Sequence, residues 1–414
     1  MRTFQVDRQW LGTKFWARLA RAARNAFLLR RGAERSAPSA TDPRRKRPRR
    51  VFAVHSVRLA SRAGAMSAAP LLARGLVCVA SAEIGGQGAR KPRRSATSSR
   101  LATVPDCGPP TVAEVNALAE FIARADRLLV ITGAGVSTES NVPDYRSPNG
   151  AYSTGFKPMT HQEFMRSEKN QSRYWARSFA GWEEFAERTV PNAAHYALAD
   201  AQKRGQVWRL ITQNVDRLHH AAGSEDALEL HGTTHEVICV ACGDARRRRR
   251  FQLELRDANP TFAEATNASI SRDSDGKQTT NEGGRPRRRP DGDVELDRDR
   301  GVGDFVVPRC RACGGGPLKP RVVFFGDAVE PETHRAATAA SDGADAVLVV
   351  GSSVSTFSAF RLVRDAARRD VPVAILTKGE TRADALAALK VERLAGQTLP
   401  LVLERARVFE TYGY

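Results

Sequence analysis

The chain has 414 residues, of which 41% are hydrophobic and 27% charged, as in ordinary globular proteins of two or three structural units. Its net charge is +19, yet residues 1–100 hold 23 Lys and Arg against 4 Asp and Glu, so residues 101–414 are neutral overall. A nucleic-acid function based on total charge is therefore excluded, and no apolar run reaches the ~18 residues of a membrane-spanning helix.

The basic leader, residues 1–100, predicts a targeting segment rather than a domain. Over residues 14–29, cations recur on one side of a predicted helix, while Trp16 and Phe27 lie on the other. Few acids, many arginines and several serines are typical of a mitochondrial transit peptide, which predicts a protein of the mitochondrial matrix. A disordered basic tail is one alternative. The basic run 44–50 offers another, a nuclear signal, and with it a nuclear or cytoplasmic protein.

The body of the chain begins with a predicted helix over residues 112–126, where apolar side chains recur on one face after a Pro-Pro-Thr start signal. Six short apolar runs follow, separated in part by helical stretches at 192–204 and 357–369. Nearly continuous apolar strands joined by helices predict an α/β fold with a parallel sheet covered on both faces. The predicted strands are 128–132, 207–212, 228–230, 321–325, 346–350 and 371–376.

Each predicted strand runs into a polar or glycine-rich motif. Ligands of parallel sheets bind beyond the carboxyl ends of the strands, so these motifs predict one shared site. A turn would explain any single motif, but turns do not require His, Asn, Asp and Gln together. The motifs are Gly133-Ala134-Gly135, Gln213-Asn214-Val215-Asp216, His231-Gly232, Gly326-Asp327, Gly351-Ser352-Ser353 and Thr377-Lys378-Gly379.

The loop after the first strand differs from an ordinary dinucleotide fingerprint. Thr138 stands in place of the third glycine, and no acidic residue closes a second strand about 20 residues later. An ordinary dehydrogenase is therefore a poor fit. The loop continues through Asp144, Tyr145 and Arg146, which together with Ser137 offer hydroxyls, a carboxylate and a guanidinium around a pyrophosphate.

Two Cys-x-x-Cys pairs predict a structural zinc site. Cys239 and Cys242 form the first pair and Cys310 and Cys313 the second, each followed by a glycine. Four thiolates complete a tetrahedron, so the metal would have no open position for chemistry. A redox pair and unrelated cysteines are the alternatives.

The 67 residues between the two cysteine pairs exceed what a zinc ribbon needs. Residues 268–289 lack periodicity and are rich in Ser, Asp, Gly, Lys and Arg, which predicts a disordered insertion. The run Arg246 to Arg250 is a charge cluster, which most often means a solvated face, and a partner or nucleic-acid contact is the minority interpretation. His235 lies near the cysteines, but four thiolates saturate the metal, so we expect it to be a surface or packing residue.

Taken together, the motifs resemble those of the sirtuins in content and in order. The resemblance covers about residues 111–405 and rests on the loop from Gly133 to Arg146, the Gln213 motif, His231-Gly232, the cysteine pairs and the Gly351 loop. Four further segments look most like the class II branch of the family, which contains a mitochondrial member. They are Tyr174-Trp175-Ala176-Arg177, Pro290-Asp291-Gly292-Asp293-Val294, Val322-Val323-Phe324-Phe325-Gly326-Asp327 and Thr381-Arg382.

The resemblance implies a Rossmann-like NAD-binding large domain in two parts, residues 101–234 and 319–414. A small zinc-ribbon domain, residues 235–318, would be inserted between them and hold one structural Zn²⁺ per chain. The implied activity is that of an NAD-dependent protein-lysine deacylase, which transfers the acyl group to ADP-ribose and releases nicotinamide. The expected partners are acylated lysines on proteins, without nucleic acid or membrane, and the chain is expected to be a monomer.

The resemblance also assigns roles to individual residues. His231 would be the base, with Asn214 and Asp216 also in the catalytic set. The residues Val323, Phe324, Phe325 and Gly326 would pair with an extended substrate strand. The NAD-binding set would be Gly133, Ala134, Gly135, Ser137, Thr138, Asp144, Tyr145, Arg146, Gln213, Asn214, Val215, Asp216, Gly351, Ser352, Ser353, Thr377, Lys378, Gly379 and Ala395.

Three residues depart from the family pattern. Asn141 stands where Gly is usual, and Asn tolerates a left-handed backbone better than most residues. Thr377 stands where the family commonly has Asn, and Ala395 stands where close relatives have Cys. We therefore expect the affinity for the adenosine half of NAD to differ from that of the relatives.

The chemistry can also be argued from residue types. A neutral imidazole with a pKa near 6.5 suits deprotonation of a ribose hydroxyl, whereas His219 and His220 lack such a context and are interpreted as structural. Two alternatives stay open. One is mono-ADP-ribosyl transfer from the same site, and the other is a zinc-containing binding module with a vestigial cofactor site.

Overall fold

The computed structural model describes residues 107–148, 150–270, 288–294, 296 and 304–412. The predicted transit peptide and the middle of the predicted insertion, residues 271–287, lie outside this part of the chain. Both ends of the insertion lie inside it. Residues 268–270 end a helix that begins at Pro260, and Arg288 donates a hydrogen bond to Thr189. Among the described residues, no helix is long and apolar enough to cross a membrane.

The described residues form two β-sheets. In chain order the strands are β1 (Leu128–Thr132), β2 (Arg209–Thr212), β3 (Leu228–Glu229), β4 (Gly232–Cys239), β5 (Ala245–Arg247), β6 (Leu318–Val322), β7 (Ala346–Val350), β8 (Val373–Leu376) and β9 (Leu389–Val391). Six parallel strands have the order β3-β2-β1-β7-β8-β9, and three antiparallel strands have the order β5-β4-β6. The predicted parallel sheet is therefore confirmed, with β1 and β7 matching their predicted limits.

The helices connect and cover these strands. They are α1 (Val112–Ala123), α2 (His161–Arg166), α3 (Glu168–Trp182), α4 (Ala193–Lys203), α5 (Leu218–Ala221), α6 (Arg248–Ala258), α7 (Pro260–Ile270), α8 (Pro331–Gly343), α9 (Phe357–Ala367) and α10 (Ala395–Tyr412). Helix α1 begins where predicted because Thr111 and Glu114 form a reciprocal capping box.

Alternate residues of β1 point to opposite faces of the parallel sheet. Leu128 and Val130 join a core with α1, α4 and α10, whereas Leu129 and Ile131 join a second core with α8 and α9. All five residues of β1 are buried, because helices cover both faces. Burying each of these Leu, Ile and Val side chains contributes roughly 1.5–3 kcal/mol, which explains the uninterrupted apolar run.

The predicted parallel strand over residues 321–325 is wrong. Residues 318–322 instead form β6, which pairs antiparallel with β4 in the small sheet. The cause is the short connection after β3, where only Leu230 and His231 precede β4. A parallel neighbour needs a crossover of about a dozen residues, so the chain turns away and starts a second sheet. Gly232 makes this turn with φ +74°, close against the carbonyl of Arg321.

The small sheet has its own aromatic core, and two distant segments build it. Phe164 of α2 and Trp175 of α3 pack with Phe251 of α6 and with Cys239 and Cys310, two of the four predicted zinc ligands. The small sheet and the four predicted zinc ligands are called the zinc module below. Helices α2 and α3 pack against this module, although they lie within residues 101–234 of the chain. No local pattern indicates this packing, because it joins residues far apart in sequence.

Arg248 contradicts the interpretation of the arginine run as a uniformly solvated face. Its side chain is buried, with the guanidinium 5.1 Å from the ring centre of Trp175 and 4.6 Å from that of Trp182. Burial lowers the pKa of Arg248 to about 9. The neighbours Arg249 and Arg250 are exposed, so only part of the run faces water.

Two glycine loops meet at the carboxyl edge of β1 and β7. The Gly135 amide donates to the Gly351 carbonyl at 2.8 Å, and the Gly133 amide donates to Val350 at 3.2 Å. Gly351 has φ +57°, and a Cβ there would lie 2.3 Å from the amide nitrogen of Val136. Because the two backbones touch, neither side chain nor solvent fits between these loops.

We predict that Gly351→Ala destabilises the fold more than Gly205→Ala. Gly205 also has a left-handed φ, +82°, but a Cβ there would meet no atom within 4 Å, so only backbone strain of roughly 1–2 kcal/mol applies. At Gly351 a backbone clash adds about 1–3 kcal/mol more. Urea unfolding of both variants measures the difference. Equal losses of unfolding free energy in the two variants would show that the clash between the loops adds nothing to the strain of the left-handed backbone.

Candidate active site

The sheet order brings the predicted motifs together. Strands β2, β1, β7 and β8 are neighbours, so the loops that follow them lie side by side at one edge. Gln213 joins three of these strand ends. Its main-chain amide donates to the Thr132 carbonyl at 3.0 Å, and its side-chain amide donates to the hydroxyl of Ser352 at 2.7 Å. The polar residues therefore form one connected site.

Ser137, Asn214 and Asp216 form the floor of this site, where Ser137 and Asp216 are buried and Asn214 is half-buried. The Ser137 hydroxyl donates to Asp216 Oδ2 at 2.8 Å and accepts from the Asn214 side-chain amide at 3.0 Å. The amide of Leu218 donates to the other carboxylate oxygen at 3.0 Å. Burial raises the pKa of Asp216, while these donors lower it. Both of its oxygens thus have partners inside the protein, which fixes the carboxylate beneath the edge.

Two histidines support the floor. The His195 ring lies 3.4 Å from the Ser137 hydroxyl, and His219 Nε2 lies 2.9 Å from the Thr132 hydroxyl. Burial lowers the pKa of His195 to about 3 and that of His219 well below its ordinary value, so both are neutral scaffold residues. His195 was not predicted from the sequence, and its one local signal is its place in the capping box with Asn192 at the start of α4.

His231 lies between the two sheets with both ring nitrogens engaged. Its Nδ1 lies 3.1 Å from the Gln213 carbonyl and its Nε2 lies 2.8 Å from the Ser358 hydroxyl. A carbonyl can only accept, so Nδ1 carries the proton and Nε2 of the neutral ring is an acceptor. Burial lowers the pKa of His231 below 6.5, although the Gln213 contact opposes this shift. The ring is therefore a neutral base at pH 7.

In the rest of the loop that follows β1, some residues shape the backbone and others present exposed side chains. Asn141 has φ 62°, which confirms the expected left-handed backbone at this position. The Asp144 carboxylate accepts from the Ser147 amide at 3.0 Å and shapes the turn. The exposed Arg146 guanidinium lies 5.2 Å from the ring centre of Tyr152, which in turn lies 5.3 Å from that of Tyr145.

The residues predicted for the adenosine half lie after β7 and β8. The hydroxyl of Ser353 lies 2.9 Å from that of Ser355, and the Thr377 amide donates to Val391 at 3.1 Å. Lys378 and Gly379 are exposed. Ala395, the first residue of α10, differs from these residues because its side chain is buried in the core. Only its main chain is left to contact a ligand.

The predicted substrate segment, Val323 to Gly326, begins at the candidate base. The Val323 amide donates to the His231 carbonyl at 2.9 Å. Farther along, the His161 amide donates to the Phe325 carbonyl at 2.9 Å, and the Gln162 side chain donates to Gly326 at 3.1 Å. Phe324 is buried whereas the Phe325 side chain is exposed. The segment is thus anchored at both ends, and it closes in a turn in which the Asp327 amide donates to the Phe324 carbonyl at 2.9 Å.

The four cysteines converge in the zinc module. Their sulfur atoms lie within 4.8 Å of one another, and the pairs Cys239–Cys313 and Cys242–Cys310 are each 3.7 Å apart. A tetrahedron with Zn–S bonds of ~2.3 Å has an edge of about 3.8 Å, so these positions fit a four-coordinate metal. His235 lies outside the cluster, with its ring 5.2 Å from that of Trp182.

Several known proteins are similar to this chain. The "NAD-dependent protein deacylase SRT2" of Arabidopsis thaliana is 47% identical over 301 residues, 73% of this chain and 79% of the relative. The "NAD-dependent protein lipoamidase sirtuin-4, mitochondrial" of Bos taurus is 43% identical over 301 residues, 72% of this chain and 89% of the relative.

A solved structure is similar as well. It is a Sir2 mutant with a deacetylated p53 peptide and 3′-O-acetyl ADP ribose. It is 25% identical to this chain, with a TM-score of 0.51, and the alignment covers 72% of this chain and 99% of that one. Residues 133–358, which contain both glycine loops, His231 and the four cysteines, match the Sir2 family. The chain belongs to the Sir2 family.

Proposed function

We propose that the protein is an NAD-dependent protein-lysine deacylase that transfers the acyl group to ADP-ribose and releases nicotinamide. One observation carries the proposal: His231 presents a neutral Nε2 acceptor at the same sheet edge as Gln213, Asn214 and Asp216. The deacylase and lipoamidase names of the two relatives support it, as does the acetylated ADP ribose in the solved Sir2 mutant.

The donor set at the edge fits NAD. Amides and hydroxyls of Gln213, Ser352 and Ser353 suit ribose hydroxyls, and the exposed Arg146 guanidinium suits a pyrophosphate. When bound, NAD supplies the ADP-ribose acceptor and the nicotinamide leaving group. Asp216 and Asn214 form the buried polar wall for the nicotinamide end. His231 Nε2 takes the proton of a ribose hydroxyl, which a neutral imidazole does well near pH 7.

The acylated lysine would be presented by an extended peptide along Val323 to Gly326. A substrate strand that pairs with this segment would gain main-chain hydrogen bonds without reading most side chains. The Val323 amide donates a hydrogen bond to the His231 carbonyl. This contact would fix the position of the bound peptide relative to the proposed base. This arrangement favours deacylation of protein lysines over a site for small free substrates.

An incubation of the protein with NAD and a panel of acyl-lysine peptides tests the proposal. Nicotinamide release with loss of the acyl mass from the peptide is the expected result. A peptide that gains ADP-ribose would instead indicate ADP-ribosyl transfer, and absence of NAD turnover with every peptide would indicate a vestigial cofactor site. The panel should include acetyl, longer apolar, acidic and lipoyl groups, since the bovine relative is named a lipoamidase.

The proposed metal is one structural Zn²⁺ per chain, and the proposed location is the mitochondrial matrix. The sulfur spacing supports zinc, and the metal would lie at the surface of the aromatic core, since two of the four cysteines are buried and two are exposed. The acid-poor, arginine-rich leader supports the location, together with the mitochondrial bovine relative.

We predict that Cys310→Ala unfolds or aggregates the zinc module rather than merely slowing turnover. Structural zinc contributes to folding free energy, and Cys310 also packs in the core that Trp175 and Phe251 share. Cys107→Ala is the matched control, because Cys107 lies outside the cluster. Metal content and thermal unfolding are measured for both variants. Normal zinc and normal melting in Cys310→Ala would contradict the assignment.

We predict that His231→Ala lowers acyl-product formation by ~10²-fold or more, the usual scale for losing a positioned general base. Exchange of labelled nicotinamide into NAD should fall less, because the base acts on the ribose after nicotinamide has begun to leave. His334→Ala, at an exposed histidine on α8, serves as the control. An equal fall in both reactions with a collapse of NAD affinity would show that His231 holds the cofactor or the fold instead.

A further inference from the structure

We propose that Ser358, in the first turn of α9, is a positioning residue for the base His231. Its hydroxyl donates to Nε2 and holds the ring as the Nδ1-protonated tautomer, with Nε2 ready to accept a proton. This inference rests on the proposed deacylase function. It adds a residue that none of the sequence motifs contains, since Ser358 follows the Gly351-Ser352-Ser353 motif by several residues.

The start of α9 contacts the imidazole directly through Ser358 and indirectly through Gln213. Ser358 lies 2.8 Å from Nε2, while the hydroxyl of Thr356, the N-cap residue of the same helix, donates to the Gln213 side-chain oxygen at 3.2 Å. The Gln213 carbonyl lies 3.1 Å from His231 Nδ1. The ring, Gln213 and the first turn of α9 therefore close a loop of hydrogen bonds, which fixes the orientation of the ring.

The direction of the Ser358 hydrogen bond follows from its partners. Because the Gln213 carbonyl cannot donate, Nδ1 keeps its proton, and a neutral ring then has a bare lone pair at Nε2. The alternative, an imidazolium that donates to Ser358, would place a buried positive charge beside a helix N-terminus, which carries positive partial charge. The hydroxyl thus donates and stabilises the neutral form of the base.

No charged side chain in the described part of the chain hydrogen-bonds or pairs with the ring. The charged residues on the packed elements have partners elsewhere: Asp216 after β2, Glu229 on β3, Arg321 on β6, and Arg361 and Arg364 on α9. The Ser358 hydroxyl is consequently the main polar group that acts on Nε2 before substrate binds. A ribose hydroxyl would replace it as the donor to Nε2 during the reaction.

The first test is the pH dependence of kcat/KM in Ser358→Ala and Ser358→Thr. Loss of the donor destabilises the neutral ring, so its pKa rises and the acidic limb of Ser358→Ala moves to higher pH by roughly 0.4–1 unit. Ser358→Thr keeps a hydroxyl, so the acidic limb of its kcat/KM profile should stay at the wild-type pH. Nicotinamide exchange should be nearly unchanged in both variants, since that step does not use the base.

A matched control is Thr338→Ala. The Thr338 hydroxyl on α8 accepts from Arg361 of α9 at 3.2 Å, so its loss disturbs the same helix away from the imidazole. The acidic limb of this variant should stay at the wild-type position. An unmoved limb in Ser358→Ala would overturn the proposal, as would an equal fall of exchange and product formation at every pH.

A second test needs no turnover and therefore separates this proposal from the proposed function. The full chain is labelled with ¹⁵N-histidine, and the His231 signals are identified by their loss in His231→Gln. The wild-type ring should show protonated Nδ1 and bare Nε2 at pH 7, and its titration should move to higher pH in Ser358→Ala. A protonated Nε2 in the wild-type ring, or an unshifted titration, would overturn the role of Ser358 even in an active enzyme.

Discussion

The backbone contact between the Gly135 amide and the Gly351 carbonyl, 2.8 Å long, is the constraint on which the site depends. Neighbouring parallel strands deliver their loops to one edge, but side chains on both loops would hold them apart. The left-handed Gly351 removes that obstacle, and its own Cβ position is occupied by the Val136 backbone. The glycines therefore allow the two loops to pack against each other. The neighbouring hydroxyl and amide groups remain available to bind a cofactor.

The second constraint is the short connection between β3 and β4. With only Leu230 and His231 to span it, the chain leaves the parallel sheet and at once enters the antiparallel one. His231 is thereby held at the junction, where its carbonyl accepts from Val323 and its ring reaches Gln213 and Ser358. The proposed base, the proposed substrate segment and the residues proposed to bind ribose are therefore held close together by main-chain geometry.

Local sequence patterns predicted the features whose causes are local. The buried runs of β1 and β7 and the two cysteine pairs follow from short-range chemistry, whereas the left-handed Asn141 was expected from the family resemblance. The prediction of a parallel strand at 321–325 was wrong because an apolar run does not indicate which sheet it joins. Its pairing partner, β4, is set by the distant connection at His231. Ser358 and the packing of Trp175 against the zinc module were invisible for the same reason: both contacts join residues more than 100 positions apart.

The most direct test of this account follows one oxygen atom. A peptide whose acyl-lysine carries ¹⁸O in the acyl carbonyl is incubated with NAD and the protein, and the products are analysed by mass spectrometry at early times. If the acyl oxygen attacks the anomeric carbon at the edge formed by His231 and Asn214, the ¹⁸O appears in an acylated ADP-ribose, in equal amount to nicotinamide and deacylated peptide. Recovery of the ¹⁸O in a free carboxylic acid, with no label in ADP-ribose, would contradict the account.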